Sequence, residues 1–108
     1  MLPGIVSPAG YGASVTTVVQ GDFEGDEDKA ASNLTKHGVS FEETMLAMRD
    51  PRSVDFEDLV ETEKLITLAT SPLGRILYIV STERRGRIRL ISSRHATPRE
   101  RRRYDQAD

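Results

Sequence analysis

The chain has 108 residues, room for one domain with one modest core, so multidomain machinery is excluded and any active site must lie near the surface. It has no cysteine, which removes disulfide scaffolds, thiolate metal sites and cysteine nucleophiles, and its imidazoles, His37 and His95, are too few for a histidine-rich metal centre. The net charge of -2 conceals a polarity: residues 1–72 hold 5 Lys+Arg against 13 Asp+Glu (net -8), and residues 73–108 hold 10 Arg against 4 Asp+Glu (net +6).

Residues 1–14 have the Pro, Gly and Ser content of a disordered N-terminal extension, with a single domain expected over 15–108. The first twenty residues carry no Lys or Arg and are broken by Pro3, Gly4, Pro8, Gly10 and Gly12, unlike a signal peptide. No apolar run approaches the roughly 20 residues of a bilayer span, so a soluble, cytoplasmic protein with no membrane partner is expected. The β-branched run Val15 to Val19 predicts a first strand.

From Asp26 the pattern turns helical. Asp26 is placed as N-cap, Glu27 and Asp28 sit where the helix dipole favours anions, and Gly38 is placed to end the helix in a left-handed conformation. Ser40 with Glu43 forms a capping box for a second helix, whose apolar side carries Phe41, Met45 and Met48 and which Pro51 ends. Lys64 to Thr70, Arg75 to Thr82 and Arg87 to Arg94 read as strands joined by short turns and hence antiparallel, with Val54 to Leu59 as a further edge strand or loop. In the last strand Ile88 and Leu90 alternate with Arg87 and Arg89, an apolar row facing a guanidinium row. Thr97, Pro98 and Glu100 start a short terminal helix that needs Tyr104 packed on the sheet to be stable.

All ten cations of the second part are arginine, whose planar fork binds phosphate through two parallel hydrogen bonds where lysine acts as a point charge. That favours a polyanionic partner such as nucleic acid. No glycine-rich phosphate loop or dinucleotide motif is present, and no cofactor or metal is expected.

Phe23-Glu24, Asp26, Lys29-Ala30, Asn33-Leu34 and the run from Lys36 to Glu43 resemble the F-E-W-D, K-A, N, K-H-G-V-x-F-E-E signature of BrnT toxins. Arg87 to Arg94, then Ala96-Thr97, Glu100 and Tyr104, is similar to that family's second signature, R-I-R-I-I-S-A-R-x-A-T-x-x-E-R-x-x-Y. The resemblance implies a RelE-like α+β fold: two N-terminal helices on a mainly antiparallel sheet of three to five strands, plus a short C-terminal helix. It implies the toxin half of a type II toxin–antitoxin pair, an endoribonuclease that halts translation and growth. Its partners would be RNA and a BrnA-like antitoxin, with operator DNA met only through the antitoxin complex. The chain departs from the pattern where Gly25 replaces Trp, expected to loosen packing beside the first helix, and where Ala69 replaces Gly. It also begins some twenty residues before the family's customary start, which implies an extension or a misplaced start codon.

A metal-free ribonuclease must activate a ribose 2′-OH, stabilise charge on a pentacovalent phosphate and protonate the leaving 5′ oxygen. Arg89 and Arg94 match the signature and are the candidates for charge stabilisation; the alternative is that strand arginines solvate a sheet face. Replacing Arg94 by Ala is then expected to abolish cleavage with little change in melting temperature. His37 is the candidate for proton transfer, against a histidine that only caps its helix. Lys29 stands on nearly the same helix side and would contact phosphate if it is more than a surface lysine. Glu42 is a candidate base if it is more than a dipole residue. Arg87 and Arg75 are assigned to RNA binding; Tyr104 is an anchor for the last helix, with RNA stacking as the lesser role. Arg99, Arg101, Arg102 and Arg103 form a solvated or antitoxin-docking helix. The competing function is a non-catalytic subunit that binds antitoxin or operator DNA.

Overall fold

The computed structural model describes residues 5–6 and 17–107. Apart from Ile5–Val6, the expected extension over 1–14 lies outside the described residues. In chain order the elements are β1 (Ile5–Val6), β2 (Thr17–Gln20), β3 (Phe23–Asp26), α1 (Glu27–His37), α2 (Phe41–Ala47), β4 (Val54–Glu57), β5 (Lys64–Thr70), β6 (Ile76–Arg84), β7 (Arg87–His95) and α3 (Pro98–Gln106). One seven-stranded sheet has the order β1-β2-β3-β7-β6-β5-β4. Among the described residues every pairing is antiparallel except β3 with β7, where Phe23, Glu24 and Gly25 run beside Ile88, Arg89 and Leu90.

The expected α+β layout is the observed one, on a wider sheet. The additions are β1 and β3, strands too short to show a period in the sequence. The capping signals act as read. Asp26 accepts from the Asp28 amide at 2.8 Å, Gly38 has φ 69°, Ser40 accepts from the Glu43 amide at 3.0 Å, and Thr97 with Glu100 forms a reciprocal capping box. The helix α2 ends at Ala47, ahead of Pro51, as the chain turns through Met48 to Asp50. Arg85 and Gly86, both with positive φ (54° and 79°), make the tight turn between β6 and β7, as a primed hairpin turn requires.

The core lies between the sheet and the pair α1 and α2: Val39, Phe41 and Ala47 meet Ala69, Leu77, Ile79 and Leu90. Gly25 presses its backbone against Phe41, so close that a Cβ there would stand 3.1 Å from the ring. A small apolar cleft of about 20 Å³ beside it is lined by Phe23, Ala30, Met45 and Leu90. The packing around Gly25 is thus close on one side and slightly open on the other. The helix α3 covers the opposite face of the sheet, where buried Tyr104 hydrogen-bonds Asp50 at 2.5 Å and accepts from the Thr70 hydroxyl at 3.0 Å.

Candidate active site

Strand β7 carries the cationic row, and one irregularity decides where its arginines point. Simple alternation from Arg89 would turn Arg94 to the opposite face. Instead Val80 pairs with Ser92 while Ser81 pairs with Leu90, so Ile91 is an extra residue, a β-bulge. Arg89, Ser92 and Arg94 then stand opposite Thr82, Val80 and Tyr78, all on the α3 side of the sheet. The doublets Leu90-Ile91 and Ser92-Ser93, which break the apolar–polar alternation, are the sequence trace of this bulge.

Both arginines are held by carboxylates from other elements. Arg89 donates through Nη1 to Glu24 of β3 at 2.6 Å, in a pair with side chains 16% and 9% exposed. Arg94 donates through both Nη atoms to Glu100 of α3 at 2.8 and 3.0 Å, and its guanidinium lies 3.9 Å from the Tyr78 ring centroid. The Arg94 hydrogen bonds hold the Glu100 carboxyl below its ordinary value against the opposing effect of burial. Arg94 therefore staples α3 to the sheet, and its replacement carries a structural cost that the expectation of an unchanged melting temperature did not include.

Beyond Leu90, β7 has no β3 partner, because the chain turns at Asp26 into α1. Asn33 of α1, 5% exposed, closes that edge: its Nδ2 donates to the Ser93 and Val39 carbonyls at 2.8 and 2.9 Å, and its Oδ1 accepts from the Ser93 amide at 3.0 Å. Lys29 and His37 lie four residues before and after Asn33, hence on the same helix side. Together with Ser32, Lys36, Ile91 and Ser92 they line an open depression of about 180 Å³ beside the β7 edge. The structure thus joins Lys29 and His37 to the row containing Arg89 and Arg94 through Ser92. Sequence reasoning passed over Ser92 and the clamp role of Asn33.

The other candidates lie elsewhere. Glu42 is exposed and lines the apolar cleft near Gly25 and Phe41, apart from the Lys29–His37 depression. Arg75 forms a two-pronged ion pair with Glu43, including Nε to Oε2 at 2.9 Å, and donates to the Gly38 carbonyl at 3.0 Å. The Arg75 hydrogen bond lowers the Glu43 carboxyl, again against burial. Tyr104 is 7% exposed, so it is the packing anchor and its ring offers no stacking surface to RNA. Arg87 is exposed at the start of β7. Arg99, Arg102 and Arg103 line a cleft along α3 with Phe56 and Tyr78, and Arg101 does not.

These features define a small α+β domain with a cationic row on one sheet face and a lysine–histidine depression at its edge. The chain belongs to the family described as "Ribonuclease toxin, BrnT, of type II toxin-antitoxin system", whose model matches residues 26–100. Membership makes it a ribonuclease toxin with RNA as target and an antitoxin as partner. Among solved structures it is similar in fold to the 1.1 Å crystal structure of the Brucella abortus ribonuclease toxin BrnT, with 20% identity and a TM-score of 0.56, over 68% of this chain and 92% of that one. No curated protein matches the sequence. No helix among the described residues is long and apolar enough to cross a membrane.

Proposed function

We propose that the protein is a cytoplasmic endoribonuclease that cleaves RNA by attack of a 2′-OH, without a metal ion, until a BrnA-like antitoxin covers it, and that it reaches operator DNA only within that complex. The observation that supports this reading is the bulge at Ile91, which sets Arg89, Ser92 and Arg94 in one row whose middle member borders Lys29 and His37. In the proposed step the 2′-oxygen forms a bond to phosphorus, and its proton passes to water. The bond from phosphorus to the 5′ oxygen breaks, and His37 protonates that oxygen as it leaves. Arg89 and Lys29 stabilise the charge on the phosphate, while Arg94 flanks them and fixes α3. Glu42 has no step in this scheme.

Among the described residues no three His, Asp or Glu side chains converge as ligands of a metal would, which is why the scheme is drawn with cations of the chain. The purified chain should cleave RNA in EDTA, leaving 2′,3′-cyclic phosphate and 5′-hydroxyl ends. Lys29→Ala combined with His37→Ala, both at exposed positions, should slow cleavage about a hundredfold without changing the fold. Full activity in the double variant, or loss of wild-type activity in EDTA, sinks the scheme. RNA binding without cleavage by the wild type would support a binding subunit instead.

A further inference from the structure

The cleft along α3 is not used by the cleavage step. Its volume is about 570 Å³, and Arg99, Arg102 and Arg103 form its helix side while Phe56 of β4 and Tyr78 of β6 form its sheet side. The arginines are exposed and make no ion pair among the described residues. Among the described residues the one carboxylate lining the cleft, Glu100, is already held by the fork of Arg94. Arg103 lies over the Phe56 ring at 3.9 Å from its centroid, so a flat cation backed by an aromatic ring forms one wall of the cleft.

The register connects this cleft to the proposed site. Phe56 pairs with Ile66, Ile66 with Val80, and Val80 with Ser92, so one cross-strand row leads from the cleft to the serine that borders Lys29 and His37. With strands about 4.8 Å apart, Phe56 and Ser92 stand roughly 14 Å from each other. Phosphate ligands beside a flat guanidinium platform, at this distance from Ser92, suit an unpaired strand whose bases lie open. A duplex keeps its bases stacked inside and has no open base to lay on that platform.

We infer that the α3 cleft is a binding subsite for single-stranded RNA, in which Arg99 and Arg102 hold backbone phosphates and a base stacks on the Arg103–Phe56 platform while the adjoining nucleotides lead to Ser92. The inference rests on the proposed reading of RNA cleavage at Ser92, but its test does not need cleavage. The probe is a fluorescein-labelled 2′-O-methyl RNA, which has no nucleophile, as a single strand and as a blunt duplex. Fluorescence anisotropy should show Arg99→Ala combined with Arg102→Ala binding the single strand about tenfold or more weakly. The slope of log affinity against log salt should become shallower by about 1.4, the value for two single-strand phosphate contacts. Arg101→Ala removes the same kind of charge outside the cleft and should bind nearly as the wild type does.

Equal weakening by Arg101→Ala would reduce the effect to overall charge and overturn the subsite. An unchanged affinity in the Arg99/Arg102 variant, or equal affinity of the wild type for single strand and duplex, would overturn it as well. So would a variant that binds RNA normally but escapes neutralisation by its antitoxin, which would make the cleft a protein-docking surface. If instead the wild type binds as inferred and never cleaves unmodified RNA, the cleavage scheme fails and the subsite stands.

Discussion

Replacing Asn33 by Ala tests how the fold holds the candidate site. The side chain makes three hydrogen bonds, of 2.8, 2.9 and 3.0 Å, across the edge of β7 that β3 leaves unpaired. At about 1 kcal/mol net for each, their removal costs roughly 3 kcal/mol. That is a large share of the roughly 5–15 kcal/mol by which domains are stable. For a domain of this size it should lower the melting temperature by roughly 10–20 °C. Asn33→Asp is a sharper probe, because it keeps the acceptor for the Ser93 amide but turns an anion towards two carbonyls, and it should be no better tolerated near neutral pH. Urea denaturation followed by circular dichroism gives the stability, and hydrogen exchange at the Ser93 amide reports the edge itself. A loss below about 1 kcal/mol with the Ser93 amide still protected would show that α1 is held by its apolar contacts alone, and would refute the clamp.

Further outcomes follow from the same contacts. The Glu43 carboxyl lies below its ordinary value of 4.5 through the Arg75 hydrogen bond, so the pair contributes stability that is present above that value and lost as pH falls through the lowered one. The stability gap between the wild type and Arg75→Met should therefore be widest near pH 7 and narrow below about 4.5, as urea titrations at several pH values would show; a constant gap would mean that Arg75 acts by packing. Gly25→Ala places a methyl 3.1 Å from the buried Phe41 ring and should cost about 1 kcal/mol net in thermal melts, whereas a gain would show that Phe41 has room to move. Arg94→Gln should loosen α3 and cost about 1 kcal/mol, a modest figure because the Glu100 pair is part-exposed. Arg89→Gln should instead lower the cleavage rate about tenfold or more beyond any effect on stability, and equal losses in both variants on both assays would refute the division of roles.

The helices were legible because their signals are local: Asp26, Ser40 and Thr97 are N-caps whatever the rest of the chain does. Strands β5, β6 and β7 were legible from their β-branched runs. Strand β3 was not, since four residues including Gly25 carry no pattern and its pairing with β7 joins positions more than sixty residues apart. The candidate site was visible as residue types and hidden as geometry. The motif pointed to Arg89 and Arg94, but Glu24 and Glu100 as their partners follow from strand order and helix docking. Ser92 was missed because alternation assigns faces only while the ladder is regular, and the bulge at Ile91, marked in the sequence only by two doublets, resets it.

The two arginines that the sequence ranks together are separated by how many donors each has left. Arg94 gives both Nη atoms to Glu100, a further bond to the His95 carbonyl at 3.1 Å, and one face to Tyr78, so little of its fork remains for a phosphate. Arg89 gives Nη1 to Glu24 and makes no other hydrogen bond among the described residues, which leaves Nη2 and Nε to grip a second anion. The polarity of the sequence resolves in the same way. Of the ten arginines after residue 72, Arg75, Arg89 and Arg94 are committed to carboxylates, and the remaining seven (10 − 3) stand exposed on the β6–β7 turn and on α3. The exposed seven together set a long-range field on a polyanion, in which any one charge outside the α3 cleft counts for little and which salt screens within about 10 Å at 0.1 M. In the proposed scheme the contact at the reacting phosphate falls to Arg89, part-buried and far less open to screening. Raising the salt should thus weaken RNA capture steeply while leaving the rate within the bound complex almost unchanged.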